Sequence, residues 1–238
     1  MKTYRATTGP FAERPFYELG EIERICTEEL HGVGLHPARP EPVRIERFIE
    51  KRFHVSPAYE DLPPGVVGYT RFRQDGVEAI VVTRALCEAG SRSAERRINT
   101  TLAHEAGHCL LHGHLFLVGA DTQSLFERDA DVGPHRILCR DGAPADDREV
   151  GRHIYRGRWW EYQANQAMGA LLLPRKLVDQ CLPSLLNTGG AFGRLALTSA
   201  RREEAVALVA DVFDVNPVVA RIRLGALYPE HEERQLTF

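Results

Sequence analysis

Apolar residues recur along this chain in two rhythms, one helical and one alternating, and the change of rhythm divides it into elements. Between Phe16 and Leu30 the positions Tyr17, Leu19, Ile22, Ile25, Cys26 and Leu30 predict a helix. The Pro-rich stretch from Pro37 to Pro42 reads as a linker, and Val43 to Phe53 as a short second helix carrying Val43, Ile45, Phe48 and Ile49. After the sharp break at Pro63-Pro64-Gly65, Val66 to Phe72 and Val77 to Thr83 read as two strands joined by an Asp75-Gly76 turn. The helical rhythm returns from Arg96 to Leu111, where Ile98, Leu102, Ala103, Ala106, Cys109 and Leu110 make a broad apolar surface and Ser91 or Ser93 is the expected cap. Another helix opens at Trp159 and runs through Ala167, Met168, Ala170, Leu171 and Leu172 to a stop at Pro174. Two more follow, Arg201 to Phe213 and a short one capped by Asn216-Pro217 that runs through Leu224 and ends at Gly225.

The polar positions of the Arg96–Leu111 helix carry the first chemistry. His104-Glu105-Ala106-Gly107-His108 puts two imidazoles one turn apart on one helix face, within reach of a single metal ion, with a carboxylate beside them. This is the H-E-x-x-H arrangement of zinc hydrolases. With 10 histidines in 238 residues, composition alone produces it about 4% of the time, so the pentapeptide needs a third ligand before it means much. Trp159 to Asn165 offers one. Glu161 and Asn165 lie one turn apart, so Glu161 can ligate while Asn165 accepts a hydrogen bond from the distal nitrogen of a ligand histidine. Glu105 is then the general base. His112, His114, His153 and Tyr155 are candidate donors to an oxyanion, although for His112 and His114 a polar helix end is the simpler reading.

Composition narrows the setting. Hydrophobic content of 43% and charged content of 26% are globular values, and a net charge of −3 argues against broad nucleic-acid binding. The chain shows no apolar leader and no run long enough to span a bilayer, so a soluble, cytoplasmic protein is expected. The cysteines Cys26, Cys87, Cys109, Cys139 and Cys181 are odd in number and form no C-x-x-C pair, which argues against a disulfide framework; Cys109 and Cys139 are expected to be spectators. The C-terminal helices have the outline of a helix-turn-helix with Arg221 and Arg223 as its basic residues. Val218, Val219, Ile222 and Leu224 leave little polar surface for reading DNA, so a packing role is expected.

Leu102 to His112, followed by Trp160-Glu161-Tyr162-Gln163-Ala164-Asn165 and by Gly169 to Pro174, resembles the two motifs of the ImmA/IrrE family of metallopeptidases in their order. The resemblance is close over Val66 to Pro174 and looser outside it. It implies an α+β, zincin-like domain: a small β-sheet, an active-site helix, a second ligand helix and a C-terminal helical unit. It implies His104, His108 and Glu161 as metal ligands and Glu105 as base, with zinc as the cofactor and manganese as an alternative. It further implies a protein substrate, a helix-turn-helix repressor; from the charge and apolar pattern above, no membrane or direct nucleic-acid partner is expected. A zinc-dependent repressor-binding or sensor module without cleavage is the alternative. Gln163 departs from the family pattern, standing where many members carry a second acidic residue. The expected organisation is an N-terminal helical segment (1–65), a catalytic domain (66–180) and a C-terminal unit (181–238), with a loop-rich acidic insertion at about 116–158. The hairpin before the metal helix is expected to supply an edge strand that lines the cleft.

Overall fold

The computed structural model describes residues 2–5, 13–73, 75–117, 132–133, 136–140, 159–188 and 195–229. Strands β1 (Lys2–Arg5) and β2 (Glu13–Phe16) pair antiparallel. Helix α1 (Leu19–Gly32) starts later than the apolar spacing predicts: Phe16 is taken up in β2, and the Glu18 amide donates to the Glu21 carboxylate at 3.0 Å, an arm of a capping box. Helix α2 (Ile45–Phe53) follows the proline linker.

Strands β3 (Ala58–Glu60), β4 (Val66–Arg73) and β5 (Gly76–Thr83) come next, then the short helix α3 (Arg84–Glu88) and the long helix α4 (Arg92–Leu117). Ser91 is the cap: its hydroxyl accepts from the Ala94 amide at 3.2 Å. Strands β6 (Val132–Gly133) and β7 (Arg136–Arg140) complete a five-stranded sheet in the order β3-β5-β4-β7-β6. The β3–β5 pair is parallel and the other pairs are antiparallel. This corrects two expectations. The predicted hairpin β4–β5 lies inside the sheet, because β3 and β7 cover its two sides. The segment between the metal helix and the ligand helix is not merely a loop-rich insertion, because Arg136–Arg140 pairs with β4.

Helix α5 (Trp159–Leu172) packs along α4 and against α1, and α6 (Arg175–Cys181) follows the stop at Pro174. Strands β8 (Leu186–Thr188) and β9 (Leu195–Leu197) form a small hairpin before α7 (Ser199–Val212) and α8 (Pro217–Leu227). Asn216 caps α8 through a bond from the Val218 amide at 2.9 Å, but Gly225 lies inside that helix rather than ending it. One apolar cluster draws Ile22 of α1, Phe48 of α2, Ile80 of β5, Leu102 of α4, Leu171 of α5, Val209 of α7 and Leu224 of α8. The protein is therefore an α+β fold in which the three expected chain segments share a core. No described helix is long and apolar enough to cross a membrane.

Candidate metal centre

Two glycines let the polar groups of α4 meet their neighbours. A Cβ at Gly107 would stand 2.9 Å from the Ala164 carbonyl oxygen and 3.0 Å from the Ala167 Cβ, so only glycine lets α4 and α5 approach this closely. A Cβ at Gly68 would fall 2.6 Å from the Thr101 methyl and 2.9 Å from the Val81 carbonyl, so β4 runs equally tightly past α4.

Across the α4–α5 contact, His104, His108 and Glu161 converge, with ligand atoms within 4.8 Å of one another, close enough to hold one metal ion. His104 Nε2 is 3.0 Å from Glu161 Oε2 and 3.1 Å from His108 Nε2; His108 Nε2 is 3.5 Å from Glu161 Oε1. All three side chains are largely withdrawn from solvent.

The hydrogen bonds behind the rings decide what their front atoms are. His104 Nδ1 lies 2.9 Å from Asn165 Oδ1, a pure acceptor, so Nδ1 carries the hydrogen and Nε2 of the neutral ring is a bare lone pair. Behind His108 the chain is longer. The Pro15 carbonyl accepts from the Gln163 side-chain amide at 2.9 Å, which turns Gln163 Oε1 toward His112 Nε2, also at 2.9 Å. His112 Nε2 is thus the donor and its Nδ1 the acceptor, so His108 Nδ1, 3.1 Å away, donates and His108 Nε2 is bare.

Two lone pairs and a carboxylate facing one another in a buried space repel unless a proton on His104 or a metal ion lies between them. Glu161 Oε1 and Glu105 Oε1, moreover, are buried with no hydrogen-bond partner among the described residues. The donor set and these orphaned oxygens fit a bound metal ion.

Titration behaviour follows the same logic. Burial opposes charge on His104, but the Glu161 carboxylate outweighs it and raises the ring above its ordinary pKa. Burial also opposes charge on Glu161, and His108 and His104 overcome it, holding the carboxyl well below the usual range. Burial lowers His108, and burial with the neighbouring His108 pushes His112 well below the ordinary value, so both rings are neutral near pH 7. Burial pushes Glu105 up to about 7. The Thr70 hydroxyl of β4 donates to Glu105 Oε2 at 2.6 Å, fixing one carboxylate oxygen and leaving the other, buried Oε1 without a hydrogen-bond partner among the described residues.

The structure thus brings together His104, Glu105, His108, Glu161 and Asn165 of the sequence-derived set. Three side chains were misread or missed. His112 is a buried link and neither an oxyanion donor nor a polar helix end, since α4 runs on to Leu117; its ring stands edge-on to Trp159 with centroids 5.5 Å apart. The signal for it was the i+4 step from His108. Gln163 and Thr70 carried no signal in the sequence, because their partners lie far away along the chain. His114 is exposed at the helix end, and His153, Tyr155 and the Cys139 side chain lie outside the described residues. Arg221 is ion-paired to Glu203 of α7, and Arg223 is buried.

No protein-family model matches this chain, and no curated protein matches it. The case for a function therefore rests on the residues themselves.

Proposed function

We propose that this chain is a zinc-dependent metallopeptidase of the zincin type and of the ImmA/IrrE kind, cutting a regulatory protein, a helix-turn-helix repressor. The observation that carries the reading is the convergence of His104, His108 and Glu161 with Glu105 held beside them. His104 Nε2 stands 3.1 Å from His108 Nε2 and 3.0 Å from Glu161 Oε2, near the edge of a zinc tetrahedron, about 3.3–3.4 Å for bonds of about 2.0–2.1 Å, and one ligand atom from each residue lies within 4.8 Å of the others. Manganese suits nitrogen and carboxylate donors as well and is a cellular alternative. A cytoplasmic location belongs to the same reading.

When bound, zinc would supply polarisation of the scissile carbonyl and acidification of an attacking water. The chain's own residues do the rest. Asn165 and the His112–Gln163 pair hold the two ligand rings with their bare nitrogens inward. Thr70 holds Glu105 by one oxygen, and the other takes a proton from the attacking water and delivers it to the leaving amine. Burial keeps Glu105 near the pH at which it can both accept and release that proton. The rival reading, zinc-dependent repressor binding without cleavage, gives Glu105 no task.

The test is incubation of the zinc-loaded chain with any small helix-turn-helix protein found encoded beside its gene. Cleavage is expected, with Glu105→Gln keeping about one zinc per chain while the rate falls about 100- to 10,000-fold. Cleavage that survives Glu105→Gln removes Glu105 as base, and a chain that binds no zinc removes the enzyme altogether.

A further inference from the structure

We propose that His112 and Gln163 are positioning residues for the metal centre, holding His108 in its ligating tautomer and making the N-terminal strand β2 part of the site through the Pro15 carbonyl. The proposal rests on the reading of His104, His108 and Glu161 as metal ligands.

The supply of donors and acceptors fixes every atom of this relay. A backbone carbonyl only accepts, so at 2.9 Å the Pro15 oxygen must face the amide nitrogen of Gln163. That places Gln163 Oε1 against His112 Nε2, and each following atom is then determined as far as the bare Nε2 of His108. In the opposite tautomer, His108 would carry its hydrogen on Nε2, aimed into the ligand cluster where it blocks coordination. His112 Nδ1 would then donate to His108, and its bare Nε2 would face Gln163 Oε1, two acceptors 2.9 Å apart. Flipping the Gln163 amide relieves that clash but sets Gln163 Oε1 against the Pro15 oxygen at the same separation. The wrong tautomer therefore always leaves one buried acceptor–acceptor contact, and no described solvent path relieves it, because His112 and Gln163 are both buried. The strand end is itself fixed nearby: Tyr17, next to β2, donates its hydroxyl to the Leu111 carbonyl of α4 at 3.4 Å. Trp159 stands edge-on to the His112 ring and limits its rotation.

His104 needs one Asn165 contact for the same purpose, whereas His108 uses two side chains and a carbonyl from the other end of the sequence. Docking of β2 is thereby coupled to the affinity of the metal ligand, and this coupling distinguishes the relay from ordinary core packing.

Two measurements test it. In long-range proton–nitrogen correlation spectra of the wild-type chain, metal-free and zinc-loaded, His112 is expected as the Nε2–H tautomer, and His108 as Nδ1–H once zinc or a proton on His104 faces its bare Nε2. By chelator competition, Gln163→Leu is expected to weaken zinc binding about 10- to 100-fold and to mix the His112 tautomers. Gln163→Glu keeps an acceptor for His112 Nε2 but sets its second oxygen against the Pro15 carbonyl, so it is expected to restore the His112 tautomer while loosening β2. A wild-type His112 in the Nδ1–H form, or a folded Gln163→Leu chain with unchanged tautomers and affinity, overturns the proposal. Should Gln163→Leu fail to fold, the wild-type tautomers still decide. If the wild type binds no zinc, the metal reading falls instead, and the metal-free spectra judge the relay separately.

Discussion

Two clusters of polar side chains are buried among the described residues, and they differ in what each group faces. In the first, Arg223 of α8 is sealed under α1 and α5. Its Nε and one terminal nitrogen donate to the Leu173 carbonyl at 3.1 and 3.0 Å, and both terminal nitrogens face the Glu23 carboxylate. This forked pairing also occupies a carbonyl at the C-terminal end of α5, where helices leave acceptors unused. In the second cluster, His104, His108 and Glu161 turn lone pairs and charge toward one another, and two carboxylate oxygens have no hydrogen-bond partner among the described residues. The first cluster sets charge against opposite charge inside the chain and holds the fold, although Glu23 Oε1 and Arg223 Nη1 meet as an ion pair rather than a regular hydrogen bond. The second is complete only with a cation, and its incompleteness points to function.

The largest effect expected from breaking this comparison is in the first cluster. Glu23→Ala leaves Arg223 charged, buried and unpaired, and should lower the unfolding free energy by about 3–5 kcal/mol in a denaturant titration, with zinc affinity of the folded chain unchanged. A cost below about 1 kcal/mol would mean that water reaches Arg223 and that the cluster is not sealed. Next comes the opposite pattern at the metal centre. Glu161→Gln should weaken zinc about 100- to 1,000-fold, the share of one ligand in a binding energy of about 10–16 kcal/mol. The unfolding free energy of its metal-free form should stay within about 1 kcal/mol of wild type. Equal zinc affinity would move the third ligand elsewhere.

A smaller loss is expected from Gly107→Ala, whose methyl has no room against Ala164 and Ala167. It should cost about 1–3 kcal/mol of stability and weaken zinc by separating Glu161 from the two histidines; titration with zinc reads the second effect. Stabilisation by alanine's better helix propensity, with zinc binding intact, would show that the helices do not depend on that contact.

The gentlest test is pH. In the metal-free chain the raised Glu105 contributes stability below its unfolded value of 4.5 that is lost as pH rises through about 7, and the raised His104 contributes stability below 6.5 that is likewise lost on going up. The lowered His108 and His112 act oppositely, but their contribution is complete above 6.5. Between pH 6.5 and 8 the metal-free chain should therefore weaken, by up to about 1.4 kcal/mol per pH unit for each proton released. Stabilisation by added zinc should grow over the same range, because ligation displaces protons. Parallel curves with and without zinc would sever the protons from the metal site.

What the sequence revealed and concealed follows from the range of each interaction. The helices α4 and α5 and the strands β4 and β5 declare themselves by periodicity, and His104, His108, Glu161 and Asn165 by single-turn spacings within those helices. Strand β7 was hidden, since Arg136–Arg140 is short, sits among Asp, Gly and Pro, and becomes a strand only by pairing with β4. His112 reads as a polar helix end because the apolar rhythm stops at Leu111, whereas α4 continues to Leu117 and carries that ring into the interior. Gln163 looked like a departure from a motif. Its meaning depends on Pro15, at the opposite end of the chain, which no local pattern can supply.

The close contact of α4 with α5 has a consequence for how the chain between them can change. Joining His108 to Glu161 through a metal would ordinarily close a loop of roughly 50 residues, at an entropic cost of about 3.5 kcal/mol. Here the two helices already lie side by side, so that closure is achieved by folding before any ion arrives. The length and content of the intervening polypeptide are thus nearly decoupled from ion affinity. Large insertions or deletions there should leave the centre intact, provided that β7 keeps its place beside β4.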